Sequence, residues 1–257
     1  MTRLSFVTPL AYDWKWAPGA IESYYPIADE IILGLDRDRL TWSRNPFEID
    51  LDALKTSLAR IDVQGKIRIA EGDFHCHDHP MRNETLERSK LSLRCIPDNW
   101  IVQIDADERL LNATHFAEWM GLAPNDDCLW ARMLTVFKSF GNRALVIEPA
   151  DEFVPVATRR HGEYTAARAT AQNNSGCPLL LLHYSWAREP EELKQKLANW
   201  GHARDFDTEA YFKFWESVTL ENYQQLKNFH PIHPASWPAL VLKEMPSGRD
   251  SAPADSR

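Results

Sequence analysis

Apolar positions in the first hundred residues gather into short runs, with stretches of helical spacing between them. Residues 4–10, 30–35, 66–70 and 100–104 read as strands, because short apolar runs bounded by turn formers mark segments buried on both faces. Residues 18–28 predict a short helix entered through Pro18. Residues 50–61 place Leu51, Leu54, Leu58 and Ile61 on one helical face, and residues 83–94 are also helical. Alternation of this kind predicts a mostly parallel sheet with right-handed crossovers, flanked by helices. The expected fold class is therefore α/β and Rossmann-like.

Beyond residue 110 the pattern changes. Residues 129–138 and 144–147 flank Phe140-Gly141-Asn142 as the arms of a hairpin. Residues 179–182 make a further apolar strand. Residues 190–200, with Leu193, Leu197 and Trp200 on one stripe, read as an amphipathic helix, and 208–218 and 221–229 as two more. Residues 246–257 have the composition of a disordered tail. The expected organisation is one continuous domain, with residues 1–110 as a nucleotide-binding half and 111–245 as a second half carrying C-terminal helices.

The fourth predicted strand ends abruptly in acid. Ile101-Val102-Gln103-Ile104 runs into Asp105-Ala106-Asp107-Glu108. Open α/β sheets bind ligands at the carboxyl ends of their strands, so these acids stand where a ligand is expected. Asp105 and Asp107 point the same way if the chain is still extended there. Such a pair repels unless a cation lies between it and an anionic ligand. Hard oxygen ligands suit Mn²⁺ or Mg²⁺, which keep open positions for phosphates. An acidic turn with no ligand is the plain alternative.

Met81-Arg82-Asn83-Glu84, a helix, and then Asp98-Asn99-Trp100-Ile101-Val102-Gln103-Ile104-Asp105-Ala106-Asp107-Glu108 resemble the heart of the family 2 glycosyltransferases of the GT-A fold. The resemblance spans roughly residues 4–110, and more patchily extends to about 205. It implies a metal-dependent transferase that takes a sugar from a nucleoside diphosphate, a uridine one first, and delivers it with inversion to a hydroxyl acceptor. On the same resemblance Thr8-Pro9, Asp36, Arg82 and Asp105 contact the nucleotide sugar, with Asp38 a further acid beside Asp36. Asp105, Asp107 and a late histidine, His183, hold the metal, and His202 is the alternative histidine. The Arg37-Asp38-Arg39 sequence departs from the small residues usual after the family's aspartate.

An inverting transfer needs a base on the acceptor side. Glu148, Asp151 and Glu152 form the compact acid cluster between Asp107 and His183, and Glu152, then Asp151, are the candidates for that base. Arg159, Arg160 and Lys194 are candidates for steadying the departing diphosphate. His75-Cys76-His77-Asp78-His79 offers a zinc hypothesis and a hydrolase reading, but no second Cys/His pair with zinc spacing follows it.

Composition narrows the partners. A chain of 257 residues with 44% hydrophobic content can bury one full core. A net charge of −8 argues against a broad nucleic-acid footprint, so a nucleic-acid acceptor is the weakest expectation. No window approaches the ~20 apolar residues that span a bilayer, and no signal-peptide pattern opens the chain. Cysteines 76, 95, 128 and 177 show no paired spacing, which fits reduced thiols and a cytoplasmic setting. A sugar-nucleotidyltransferase on a similar sheet would need a Gly-rich phosphate loop, absent from Thr8-Pro9-Leu10-Ala11-Tyr12-Asp13. A binding protein that kept the fold and lost the chemistry is the non-enzymatic alternative.

Overall fold

All seven residues of β1 (Leu4–Leu10) and all seven of β2 (Glu30–Asp36) are buried, as strands covered on both faces require. The computed structural model describes residues 2–122, 128–170 and 174–245, so the expected tail at 246–257 lies outside the described residues. Between the strands lies α1 (Ala17–Tyr24), with Pro18 in its first turn. Then follow α2 (Leu51–Ala59), capped by the Asp50 carboxylate on the N–H groups of Asp52 and Ala53, β3 (Ile67–Gly72), α3 (Pro80–Ser92) and β4 (Trp100–Gln103). β1 pairs in parallel with β2 on one side and with β4 on the other, and β3 adds in parallel to β2. Strand order therefore reverses direction at β1, and the crevice beyond the carboxyl ends of β1 and β4 is the switch point of an α/β sheet.

The second half extends the same sheet. After β5 (Glu108–Leu110) and α4 (Ala113–Leu122) come β6 (Cys128–Phe140) and β7 (Arg143–Glu148), joined through Gly141 at φ 65 as the hairpin pattern anticipates. β8 (Glu152–Thr158) runs antiparallel between β4 and β6 and so welds the halves together. A small hairpin, β9 (Tyr164–Ala166) and β10 (Ala169–Thr170), precedes β11 (Asn174–His183), which pairs with both β6 and β5. The chain ends in α5 (Pro190–Asn199), α6 (Thr208–Ser217) and an edge strand, β12 (Ala239–Glu244), on β7.

An aromatic cluster built from Phe137, Trp186, Trp215, Phe229 and Trp237 fills the space between the sheet and these last helices. Lys138 Nζ donates to the carbonyls of Trp215, Glu216 and Val218 at 2.8–3.1 Å and so caps the carboxyl end of α6. Segment 221–229 departs from the expected helix: only a 3-10 turn, Tyr223–Gln225, forms there. Asn228 takes φ 53, and the N–H groups of Asn228 and Phe229 donate to the carbonyls of Pro238 and Trp237. Pro231 and Pro234 then deny a helix its N–H donors, so the segment folds back on its own end. No described helix is long and apolar enough to cross a membrane.

The contact between β2 and α3 depends on a missing side chain. A Cβ at Gly34 would overlap the Leu91 side chain and approach Glu87 Oε1 to 3.1 Å. Gly34→Ala is expected to lower stability by about 1–3 kcal/mol through overpacking. Urea denaturation measures it, and an unchanged midpoint would mean that α3 does not seat on β2.

Candidate functional site

The acids at the switch point are held on a turn rather than on an extended strand. β4 stops at Gln103, the Glu108 N–H donates to the Asp105 carbonyl at 3.0 Å, and the Asp105 N–H donates to Glu108 Oε2 at 2.8 Å. Both Asp105 and Asp107 nevertheless open onto one cavity of about 220 Å³. Its other walls come from Pro9–Asp13 after β1, Thr41 and Trp42 after β2, Glu84 and Glu87 of α3, Glu152 of β8, Arg168, His183, and Lys196 and Asn199 of α5.

Asp105 sits in a fork of arginines. Arg88 grips it with two parallel bonds, Nη1 to Oδ1 at 2.9 Å and Nη2 to Oδ2 at 3.0 Å, and Arg168 Nη2 adds a third at 3.0 Å. Arg88 also donates to Glu84 and Gln103, and Arg168 to both oxygens of Glu108 at 2.6 and 3.0 Å. Burial would raise the Asp105 pKa, but Arg168 and Arg88 outweigh it and hold the carboxyl down at about 2. Arg168 occupies the two-residue turn of the β9–β10 hairpin, where Ala167 at φ 46 donates its N–H to Thr85 Oγ1 of α3.

Asp107 is 2% exposed. Its Oδ2 accepts from Arg188 Nη2 at 2.6 Å and from Lys196 Nζ at 2.7 Å. Its Oδ1 lies 3.5 Å from His183 Nε2. Burial again pushes its pKa up, and Lys196, His183 and Arg188 together bring it well below the carboxylate range. Asp13 accepts from the same Nη2 of Arg188 at 3.2 Å, and there burial wins: its pKa is raised.

Divalent-metal chemistry finds part of a donor set here. Among the described residues, no group of three or more His, Cys, Asp or Glu is arranged to hold an ion. Both Asp105 oxygens already accept from arginines, so that acid has no oxygen turned to a metal. Asp107 Oδ1 and His183 Nε2 are different. His183 Nδ1 faces Met133 Sδ at 3.0 Å, which leaves Nε2 as the nitrogen turned to the carboxylate. The two donors lie 3.5 Å apart, somewhat wider than the ~3.0 Å between neighbouring ligands of an octahedral ion, and Mg²⁺ and Mn²⁺ sites commonly take one or two protein ligands and fill the rest with water and phosphate at about 2.1 Å. The pair fits such an ion as a two-ligand site.

Several expected residues lie elsewhere. Thr8 Oγ1 is buried, donating to the Ile104 carbonyl at 2.7 Å and meeting the Tyr24 hydroxyl at 2.8 Å, so of the Thr8-Pro9 pair only Pro9 reaches the cavity. Asp36 is spent on the backbone: its oxygens accept from the N–H groups of Asp38, Leu40, Phe74 and His75, and it holds two loops instead of facing a ligand. Arg82 is exposed on the outer side of α3, and the other arginine of that helix, Arg88, is buried behind Asp105 rather than lining the cavity. Lys194 is exposed and paired with Glu191, while Lys196 turns inward. Arg159 stacks on Trp100 at the start of β4, the end of that strand opposite the acids. Glu152 lines the cavity, Asp151 is exposed outside it, and Glu148 pairs with Lys243. His202 also lines the cavity and pairs with Asp205 at 2.6 Å.

The 75–79 segment does not gather around an ion. His75 is buried between the Leu40 carbonyl and Glu87 Oε2, which also accepts from Trp42 Nε1 at 2.7 Å. Burial opposes its protonation, but Glu87 and Asp36 raise its pKa. Cys76, His77, Asp78 and His79 are exposed, and His79 caps α3 by accepting from the Met81 N–H.

Sequence comparison is silent: no protein-family model matches the chain, and no curated protein does. Among solved structures the chain is similar to HddC from Yersinia pseudotuberculosis, at 9% identity and TM-score 0.39, over 71% of this chain and 93% of that one. It is also similar to the bifunctional IspDF from Campylobacter jejuni, at 13% identity and TM-score 0.36, over 76% of this chain and 54% of that one. A 4-diphosphocytidyl-2C-methyl-D-erythritol synthase matches at 12% identity and TM-score 0.34, over 84% and 86%. Likeness this distant carries no argument about the chemistry of this chain.

The electrostatics set a pH dependence. Asp105 is depressed in the folded chain to about 2, against an ordinary ~3.9 unfolded. A depressed carboxyl stabilises the fold fully above its unfolded pKa and loses that contribution as pH falls through the folded one. The Asp105 contribution is expected to be flat from neutral pH to about 5 and to fall between about 4 and 2. Asp105→Asn should be less stable at neutral pH and respond less to acid. Denaturant titrations across that range measure both, and an unchanged acid slope would show that Asp105 is not held by its arginines.

Proposed function

We propose that the chain transfers a glycosyl group from a nucleoside diphosphate donor, a uridine one first, to a hydroxyl acceptor. The observation that carries this reading is the β4–β5 turn, which puts Asp107 beside His183 in a cavity at the switch point of the sheet. The family 2 resemblance of the Arg82–Asn83 and Asp105–Asp107 segments supports it. The donor's nucleotide end lies toward Pro9, Thr41 and Trp42. Its diphosphate lies at Asp107 and His183, the two residues that would hold Mn²⁺ or Mg²⁺. When bound, such an ion neutralises charge on the leaving diphosphate as the glycosidic bond breaks.

The remaining steps fall to the chain's own groups. Arg88 and Arg168 keep Asp105 ionised and fixed, so that it can accept from a ribose or sugar hydroxyl at the cavity edge. Glu152, half-buried on the β8 side, removes the proton of the acceptor hydroxyl. That oxygen attacks the anomeric carbon from the face opposite the diphosphate, and inversion follows. Glu152 takes precedence over Asp151 because it lines the cavity.

Asp107→Asn is expected to abolish transfer and donor hydrolysis, followed by chromatography of the released nucleotide, while a melting curve shows the chain still folded. Full activity in that variant, or in excess chelator, removes Asp107 and the ion from the reaction. Stabilisation by a donor that is never consumed would favour the binding-protein reading instead. Glu152→Gln is expected to lower kcat about 100-fold or more while leaving donor KM within a few-fold, because a proton transfer is made only in the transition state. The anomeric configuration of the product, read by NMR, decides the stereochemistry, and retention would reject the direct displacement.

A further inference from the structure

Lys196 and Arg188 both donate to the same oxygen of Asp107, at 2.7 and 2.6 Å. A single carboxylate charge needs one of them. The two differ in what else holds them. Arg188 is 1% exposed in its side chain; its Nε donates to the Ser185 carbonyl, Nη2 reaches Asp13 at 3.2 Å, and the guanidinium lies over the Trp16 ring at 5.4 Å. It is a fixed part of the wall. Lys196 makes one ion pair among the described residues, with Asp107, its charge also acts on Asp13, and the residue lines the cavity.

The helix beneath Lys196 cannot move away with it. Leu193 and Leu197 anchor α5 in the aromatic core, and Asn199 Oδ1 accepts from Thr41 Oγ1 at 2.8 Å and from Asn45 Nδ2 at 2.9 Å. What remains free to turn is the four-carbon stem, which carries a compact charge with three donors. Arg168, the cavity's other cationic lining residue, makes three bonds to Asp105 and Glu108 and would lose all of them on turning.

We propose that Lys196 is an anchor for the terminal phosphate of a bound nucleoside diphosphate, exchanging Asp107 for that phosphate while Arg188 stays on the carboxylate. The inference rests on the glycosyltransferase reading for the class of ligand, and it adds a cation of the chain itself at the leaving group. Lys196 then differs from a structural counter-ion in one respect: it discriminates diphosphate from monophosphate.

Calorimetric titration of UDP against UMP, and of GDP against GMP, tests this on the whole chain, with Lys194→Met as an exposed control. In Lys196→Met the affinity for the preferred diphosphate is expected to fall about tenfold or more, the scale of one lost charge-assisted bond. The monophosphate should stay within about twofold, so that the preference for diphosphate collapses. Lys196→Arg should restore most of that preference. A wild-type preference retained in Lys196→Met, or an equal loss for both nucleotides, would overturn the proposal and leave Lys196 a counter-ion. If Lys196→Met melts too low to titrate, Lys196→Gln provides the same comparison. Wild-type protein that binds none of the four nucleotides would instead bring down the glycosyltransferase reading, and this inference with it.

Discussion

Two carboxylates at the end of β4 have to keep their charge in a place that water barely reaches. An isolated ionised acid could not stay charged there, and it persists only with partners that are themselves ionised and hydrogen-bonded. The chain recruits those partners from four separate places: Arg88 from α3, Arg168 from the β9–β10 turn, Arg188 from the segment after β11, and Lys196 from α5. None is near Asp105 or Asp107 in sequence. Each must be delivered by the fold, so the packing of both halves is coupled to the neutrality of one turn. Removing one member of such a buried set typically costs about 3–5 kcal/mol, because the group left behind stays charged. The same coupling gives the site its rigidity, since each acid is gripped from two directions.

That coupling separates the two acids functionally. Asp105 has every oxygen accepting from a guanidinium and a neighbour, Glu108, that shares its arginine; it is a fixed negative edge. Asp107 concentrates its cations on Oδ2 and leaves Oδ1 turned to an imidazole. The asymmetry leaves the Oδ1 side of Asp107 less tied than its Oδ2 side. It also explains why Asp13, next in line behind Arg188, is pushed toward its neutral form: burial penalises a third negative charge that the local cations do not cover.

β1, β2 and β4 were legible because they are buried on both faces and written as apolar runs, whereas the edge strand β3 is exposed at Arg68 and Glu71. The position of the acids at a strand end was legible for the same reason. The rest of the site was not. α3 reads Pro-Met-Arg-Asn-Glu-Thr-Leu-Glu-Arg-Ser-Lys-Leu-Ser and has no apolar stripe, because its inner face carries Asn83, Glu84, Glu87 and Arg88. Hydrophobic periodicity cannot tell which of its two arginines turns inward. Asp36 looked like a ligand contact since an acid at a strand end can face a ligand or accept from its own loop, and only the fold shows that four N–H groups reach it. β8 was hidden by Pro155 and by partly exposed positions at its start. One signal was available and passed over. Lys196 is three residues after Leu193 and one before Leu197, so it stands on the apolar stripe of its own helix. A lysine there has to be buried with a partner.

α5 connects that lysine to the opposite wall of the cavity. Three residues beyond Lys196, Asn199 accepts from Thr41 and Asn45 in the loop after β2, and Asn83 of α3 donates to the Trp42 carbonyl in the same loop. The loop that carries Thr41 and Trp42 into the cavity is thus held by the helix that carries Lys196. Asp36 completes the arrangement from below by fixing the start of the loop at Asp38 and Leu40. A shift of α5 by a fraction of an ångström would move Trp42 and Lys196 together, because their supports run through adjacent turns of one helix. The Thr41–Trp42 wall and the Lys196 wall of the cavity are therefore built as one unit, and residues after 110 take part in holding a wall that the first half supplies.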